Sequence, residues 1–240
     1  PTQPPCLCTP AMAAPLVIYG VPNSQPVRAV VWLLLMKRCP FELRAAWPKY
    51  GKTAGATASD VDDYTASVNP RGTIPAMDDD GYILWESHAI MIYLCEKHGW
   101  DDLWPTDIKT RGRVNNYLHF HHRNTREIVV EWSRTLWPSV FGKSEPDEGW
   151  LERNTFPGLG NHDDVVANSL ALVEQFLSDS EFLTGPHPTL ADIAAYEELG
   201  QNQPKYANVF DYAAFPRIRA WLVRMERLPG FAEAHAIWPM

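Results

Sequence analysis

A serine precedes the first helical pattern of the chain, where a hydroxyl can contact a bound anion. Ser24 lies between an apolar run, Leu16–Tyr19, and a helical pattern whose first turn contains Pro26. A helix N-terminus carries unpaired N–H groups and a partial positive charge, and thiol pKa values fall beside such an end. Ser24 is therefore a candidate hydrogen-bond donor to a thiolate. Serine is also a common N-cap, so a purely structural capping role is the alternative.

Two further segments, at Ile74-Pro75 and at Glu86-Ser87, each allow a structural and a binding interpretation. A cis bond before Pro75 would turn the N–H and C=O of Ile74 outward, so that an extended peptide could pair there; a trans proline in a turn is the commoner alternative. Glu86 and Ser87 precede a helical pattern that ends at His98. We expect Ser87 to be the N-cap and Glu86 to offer a carboxylate to an ammonium group, with simple capping as the alternative.

Three histidines, His119, His121 and His122, stand together in the next helical pattern. His119 and His122 share a helix face and could supply two zinc ligands. The sequence offers no third ligand, so we interpret these side chains as solvated or cleft-lining and predict no metal.

The composition excludes several classes of protein. Lys plus Arg is 21 and Asp plus Glu is 29, a net charge of −8, which disfavours a nucleic-acid binder held by phosphate contacts. The longest uninterrupted apolar run, Ala29–Met36, is far shorter than the roughly 20 residues of a membrane-spanning helix. The chain has four cysteines, too few for a disulfide scaffold, and Cys39 and Cys95 lie within apolar patterns. A reducing, cytosol-like compartment therefore fits best.

The elements that must position these groups fall into two halves. A proline-rich segment, 1–15, is predicted to be a flexible leader. The order βαβ, loop, ββα follows, and the loop Lys49–Ser67 is predicted to contain one short helix. The first strand pair is predicted to be parallel, with a hairpin at the Asp-Gly pair and a helix end at Gly99. Its predicted strands and helices are Leu16–Tyr19, Pro26–Arg38, Phe41–Ala46, Ile74–Asp78, Tyr82–Trp85 and Ser87–His98.

Beyond residue 105 only helical patterns are found. A capping box formed by Thr189 and Asp192 marks the start of one of these helices. A loop is predicted over Ser139–Gly160. The other predicted helices are Thr106–Trp137, Asp163–Ser178, Phe215–Arg227 and Pro229–Trp238.

This order of motifs resembles the cytosolic glutathione transferase family. The residues that carry the resemblance are Asn69–Ala76, Trp85–Ile90 and Phe182–Ile193, while Ser24–Ala29 and Thr110–Leu118 resemble the serine-type theta class. The resemblance implies an α/β + all-α architecture, with a thioredoxin-like, glutathione-binding N-terminal domain at 16–99 and an all-helical domain at 106–240 that lines the electrophile site.

The resemblance also implies a function. It implies a cytoplasmic, homodimeric detoxification transferase that conjugates glutathione, its co-substrate, to small hydrophobic electrophiles. From the composition and the histidine spacing above, we expect no metal, and neither nucleic acid nor a membrane as a partner. By position Ser24 is the implied catalytic residue. The implied glutathione-binding residues are Gln25, Lys52, Arg71, Ile74, Pro75, Glu86 and Ser87, and the candidates at the electrophile site are His122 and Arg126.

The basic residue that holds the glycyl carboxylate of glutathione is left open. The loop 49–67 has no histidine, and Thr73 stands where the family commonly has a lysine. Lys52, Arg71 and Arg126 are the remaining candidates.

Two other features bear on the site. Tyr19 ends the first strand, where other classes of the family place a catalytic tyrosine, and we interpret it as core or site wall. The sequence stops at Met240, without the extension of some theta enzymes. We therefore expect a more open electrophile pocket.

Two rival functions stay open. One is a glutathione-dependent peroxidase or dehalogenase on the same site, because no motif marks the electrophile pocket. The other is a non-catalytic protein-interaction module of the same fold, which would not need Ser24 or the Glu86-Ser87 pair.

Overall fold

Four short strands form one mixed sheet in the first half of the protein. A computed structural model describes residues 15–48, 58–128, 162–208 and 210–236. The strands are β1 (Leu16–Tyr19), β2 (Phe41–Arg44), β3 (Ala76–Asp79) and β4 (Tyr82–Trp85), in the order β2-β1-β3-β4. β1 pairs in parallel with β2 and antiparallel with β3, and β3 pairs antiparallel with β4. The predicted order of strands and helices is confirmed, although β2 ends two residues earlier and β3 begins two residues later than predicted.

Helices connect these strands and make up the second half. In chain order they are α1 (Gln25–Met36), α2 (Ala58–Ser67), α3 (Ser87–His98), α4 (Ile108–Arg123), α5 (His162–Phe176), α6 (Leu190–Leu199), α7 (Pro216–Met225) and α8 (Phe231–Ala234). In the described ranges the second half contains no strand, only an isolated bridge between Phe182 and Gly185.

Local signals fix the ends of α1 and α3. Pro26 lies in the first turn of α1, where its missing N–H costs nothing. The helix ends two residues earlier than predicted, since Arg38 adopts a left-handed φ of 51° and breaks the pattern. Gly99 closes α3 in the left-handed conformation, as its sequence position predicts.

The predicted helix over Thr106–Trp137 is wrong in its extent. α4 ends at Arg123, because Asn124 leaves helical geometry with φ −133° and ψ −86°, and its side-chain amide donates to the carbonyl of Phe120. An asparagine side chain that binds the backbone in this way competes with helix continuation. Residues 125–128 are helical again.

The core is continuous between the two halves. α1 packs against α3, α6 and α8, and every residue of α6 is buried. Trp32, Tyr196 and Phe231 meet edge to face with ring centroids 5.4–5.6 Å apart. Such aromatic pairs contribute about 0.5–1.5 kcal/mol each beyond the burial of their surface. The sheet half and the helical half are therefore held against each other.

Some of the predicted features lie outside the described residues. These are the leader to residue 14, Lys52, the predicted loop over 139–160 and the chain after residue 236. Within the described ranges, none of the helices has the length and apolar character needed to cross a bilayer.

Candidate active site

Three candidate segments leave the sheet at the same end. Tyr19, the last residue of β1, lies opposite Ala76, the first of β3, and Ala76 lies opposite Trp85, the last of β4. Neighbouring strands are about 4.8 Å apart. The loop after β1, the Ile-Pro pair before β3 and the Glu-Ser pair after β4 therefore meet at one edge.

Ser24 is the N-cap residue of α1, and its hydroxyl is not used for capping. Its backbone is extended, with φ −79° and ψ 122°, and its carbonyl accepts from the N–H of Arg28 over 2.9 Å. The side chain makes no capping hydrogen bond and is half-buried. The backbone of Ser24 thus caps the helix, but its side chain does not. Among the described residues the hydroxyl has no hydrogen-bond partner, and it lies at the positive end of the helix.

The Ile74–Pro75 peptide is cis, as the binding interpretation requires. The segment before it is fixed at the Thr73 carbonyl, which accepts from the hydroxyl of Tyr64 and from the side-chain amide of Asn69, each over 2.7 Å. In the described part of the chain, no hydrogen bond engages the backbone N–H or C=O of Ile74. An extended ligand can therefore pair with them.

The expected N-cap at Ser87 is wrong, because Glu86 is the N-cap of α3 and Ser87 is its first helical residue. Glu86 adopts φ 75°, a left-handed conformation that is strained for a residue with a side chain. Its carboxylate is exposed and makes no capping bond. Among the described residues, the Glu86 carboxylate has no hydrogen-bond partner and lies beside the N-terminus of α3. The pair therefore still suits a ligand group with both charges.

The other predicted glutathione-binding residues are Gln25, Arg71 and Lys52. Gln25 is the first residue of α1 and is half-buried. Arg71 is exposed in the turn before Ile74, and its backbone N–H donates to the side-chain oxygen of Asn69 over 3.0 Å. Lys52 lies outside the described residues.

Arg126 has a partner that the sequence did not predict. Its guanidinium pairs with Glu198 of α6, a buried side chain, and the ring of His121 lies 3.8 Å from the same carboxylate. Burial opposes ionisation, but Arg126 and His121 hold the pKa of Glu198 below its ordinary value. Much of the positive charge of Arg126 is therefore neutralised inside the protein.

A cluster of histidines lies next to Glu86 and Ser87. The ring of His88 lies 4.9 Å from that of His121 and 4.7 Å from that of His122, between centroids. His121 is buried, contrary to the expectation of a solvated or cleft-lining side chain, while His119 and His122 are exposed. His88 was missed in the sequence; its place directly after the Glu-Ser pair was the available signal.

The observed positions of these histidines do not form a metal centre. Across the described ranges, no three His, Cys, Asp or Glu side chains converge on a position that a metal ion could occupy.

His88 is expected to make the protein less stable in acid. Burial, together with nearby His121, His122, Arg126 and His119, holds the pKa of His88 well below its ordinary 6.5. A histidine with a depressed folded-state pKa stabilises the fold above its unfolded pKa, and this stability is lost as the pH falls. We expect urea unfolding to show a loss of about 1 kcal/mol between pH 7 and pH 5.5 that His88→Gln removes.

The exposed His187 provides the matched control for this measurement. His187→Gln should keep the full acid-dependent loss of the wild-type protein. An unchanged loss in His88→Gln would show that another group titrates.

Tyr19 contributes to the wall of this region, not to its chemistry. Its ring is half-buried beside Tyr64, with centroids 6.1 Å apart, and its hydroxyl accepts from Arg44 over 3.1 Å. The interpretation of Tyr19 as core or site wall agrees with this placement.

Comparison with known proteins identifies the family. Residues 18–102 match the family profile described as the N-terminal domain of glutathione S-transferase, and residues 160–229 match its C-terminal domain. The chain is 34% identical over 220 residues to glutathione S-transferase theta-1 of Mus musculus, which corresponds to 89% of this chain and 85% of that protein.

Solved structures give the same result. A human theta-class glutathione transferase, in complex with the glutathione conjugate of 1-menaphthyl sulfate, is 29% identical with a TM-score of 0.75, over 93% of this chain and 87% of that one. Human glutathione transferase theta-2, in complex with glutathione and an unknown ligand, is 30% identical with a TM-score of 0.74, over 92% and 86%. With these similarities over most of its length, the chain belongs to the glutathione S-transferase family and resembles its theta class.

Proposed function

We propose that this protein conjugates the thiolate of glutathione to small hydrophobic electrophiles. The observation that carries the proposal is the hydroxyl of Ser24, which stands at the N-terminus of α1 without a capping bond. The Ile-Pro and Glu-Ser pairs leave the sheet at the same end. A non-catalytic interaction module would not need these groups together.

Each part of glutathione has a proposed partner. Ser24 donates to the sulfur, and the backbone of Ile74, held by the cis bond to Pro75, pairs with the cysteinyl unit. Glu86 receives the ammonium of the γ-glutamyl group, while Ser87 and the helix N-terminus bind its carboxylate.

The glycyl end and the electrophile are assigned to the remaining candidates. Gln25 contacts glutathione beside Ser24. Because Arg126 is paired with Glu198, Arg71 and Lys52 are the stronger candidates for the glycyl carboxylate. His122 is exposed beside His88, close to the Glu-Ser pair, and is proposed to line the electrophile site together with Arg126.

The magnitudes are sufficient for thiolate activation. Lowering a thiol pKa by one to two pH units requires about 1.4–2.7 kcal/mol. A hydrogen bond to a charged group contributes about 1.5–3 kcal/mol, and a helix N-terminus adds about 0.3–1 kcal/mol. The remaining rate acceleration would come from holding thiolate and electrophile together in one cleft.

The wider assignments follow from the family. We propose a thioredoxin-like domain at 16–99 and a helical domain at 106–240, a homodimer, and a cytoplasmic location. Gly99, where α3 ends, and Ile108, where α4 begins, support a boundary in the turn between them.

Retention on immobilised glutathione and a panel of electrophiles test the function. We expect retention, and glutathione adducts with members of a panel of aryl halides, epoxides and alkyl halides. Glu86→Gln should lose retention because the ammonium loses its charged partner, whereas Glu181→Gln, on the exposed surface, should not. Turnover of hydroperoxides alone would indicate a peroxidase. Halide release from alkyl halides without a stable adduct would indicate a dehalogenase, and no retention would favour the interaction module.

A further inference from the structure

The loop that carries Ser24 is tied to the helical half by a buried ion pair. Arg28 of α1 and Glu197 of α6 are each 1% exposed. The Nε atom of Arg28 donates to Glu197 over 2.8 Å, and its Nη2 donates to the side-chain oxygen of Gln201 over 3.0 Å. Its Nη1 donates to the carbonyl of Pro22, two residues before Ser24, over 3.1 Å. One guanidinium thus joins the loop to α6.

Stability alone does not account for this pair. Burying two charges costs much of their hydration, and apolar residues of similar volume often stabilise a protein as well or better. The directions of the contacts are specific, however. A planar guanidinium can serve three acceptors at fixed angles, which the compact ammonium of a lysine cannot do. The geometry indicates a positioning role.

The bond to Pro22 acts on the middle of a β-turn. The N–H of Ser24 donates to the carbonyl of Val21 over 3.1 Å, so that Pro22 and Asn23 are the central residues of the turn. Asn23 is not among the left-handed residues of the described chain, so the turn is not of type II. Asparagine also suits type II, in which the central peptide is reversed. In the observed orientation of that peptide, the Pro22 carbonyl accepts from Arg28; in the reversed orientation it would point away from the guanidinium.

This orientation determines which backbone group faces outward beside Ser24. The C=O and N–H of a trans peptide point in opposite directions. Because the Pro22 carbonyl points at the buried guanidinium, the N–H of Asn23 points to the exposed side of the turn. A reversed peptide would expose the carbonyl oxygen of Pro22 there instead. The partial negative charge of that oxygen would disfavour a bound thiolate.

We propose that Arg28 and Glu197 are positioning residues for Ser24. Their ion pair fixes the peptide between Pro22 and Asn23, and through it the hydroxyl and the outward N–H at the start of α1. The second oxygen of Glu197 lies 2.9 Å from the ring Nε2 of His235, which holds the carboxylate in place. This inference rests on the function proposed above, because it assigns a consequence for the thiolate of bound glutathione.

Removing the pair in two steps separates positioning from stability. Arg28→Met leaves Glu197 buried without the guanidinium, and the variant should be markedly less stable. Arg28→Met combined with Glu197→Met removes both charges and should regain much of that stability. In both variants, and in Arg28→Lys, the thiolate absorbance of bound glutathione should titrate about one pH unit higher than in the wild type, with kcat/KM about tenfold lower at a pH below both values. The KM for glutathione should change little.

The double variant distinguishes a positioning role from a stabilising one. Arg28→Lys is a second test, because it keeps a positive charge at this position. Recovery of both stability and the wild-type thiol pKa in the double variant would overturn the proposal, as would a wild-type thiol pKa in Arg28→Lys. Val173→Ala shortens a fully buried side chain of α5, a helix that packs against α7. It should lower stability without moving the thiol pKa.

Ser24→Ala, measured in parallel, distinguishes this inference from the proposed function. If Ser24→Ala leaves the thiol pKa unchanged, the catalytic role of Ser24 fails. If Ser24→Ala raises the thiol pKa and the Arg28 variants do not, only the positioning role fails.

Discussion

Replacing Ser24 with alanine is expected to raise the pKa of the thiol of bound glutathione by about one to two pH units. The hydroxyl is the side-chain donor at the N-terminus of α1 that is not used for capping. Its loss removes a charge-assisted hydrogen bond, while the partial charge of the helix end remains. At a pH below both pKa values, kcat/KM should fall about 10- to 100-fold.

The measurement is the thiolate absorbance of the bound complex against pH, together with steady-state kinetics. The KM for glutathione should change little, because Glu86 and Ile74 bind parts of the tripeptide that the substitution does not affect. Ser24→Thr keeps a hydroxyl and should restore part of the effect. Ser178→Ala, at an exposed position two residues after α5, is the matched control. A thiolate titration in Ser24→Ala that coincides with the wild type would remove Ser24 from catalysis.

Much of the fold could be predicted because its signals are local. Gly99 ends α3, the Asp-Gly pair marks the hairpin, and the strand Leu16–Tyr19 is bounded by turn residues on both sides. These positions depend on backbone conformation within a few residues, which the residue types themselves determine.

Errors arose where backbone geometry competes with a residue's usual preference. Ser87 is a good N-cap by type, yet the left-handed conformation of Glu86 moves the helix start by one residue. Asn124 ends α4 through its own side chain, although the apolar pattern continues beyond it. A periodic pattern does not record such a break.

Pairings between distant parts of the chain could not be predicted at all. Arg126 meets Glu198, and Arg28 meets Glu197, across more than seventy positions in each case. Both glutamates lie on α6, whose residues are buried throughout, and a buried helix gives no hint of which charged partner it faces. The order of motifs therefore indicated the site, whereas the groups that hold its parts in place required the structure.

Replacing Asp192 with asparagine is expected to cost about 3–5 kcal/mol of folding free energy. Asp192 is fully buried, and its two carboxylate oxygens accept from the N–H of Leu183, the indole of Trp221, and both the N–H and the hydroxyl of Thr189, over 2.8–3.1 Å. Burial raises the pKa of Asp192 to about 6, so the side chain is ionised at pH 8. An asparagine side chain has an NH2 group in place of one carboxylate oxygen. That NH2 group would face two of these four hydrogen-bond donors, which would then lack an acceptor.

The N-cap of α4 provides the comparison within the same chain. Asp107 is exposed and accepts from the N–H of Thr110 over 2.8 Å. Asparagine and aspartate are about equally good N-caps, so Asp107→Asn should leave stability close to the wild-type value. Urea unfolding of both variants at pH 8 gives the two values. Equal losses would mean that Asp192 acts only as a helix cap. A large loss at Asp192 alone would mean that its carboxylate joins the start of α6 to α7 and to the turn at Leu183, and so supports the helix on which Glu197 and Glu198 are placed.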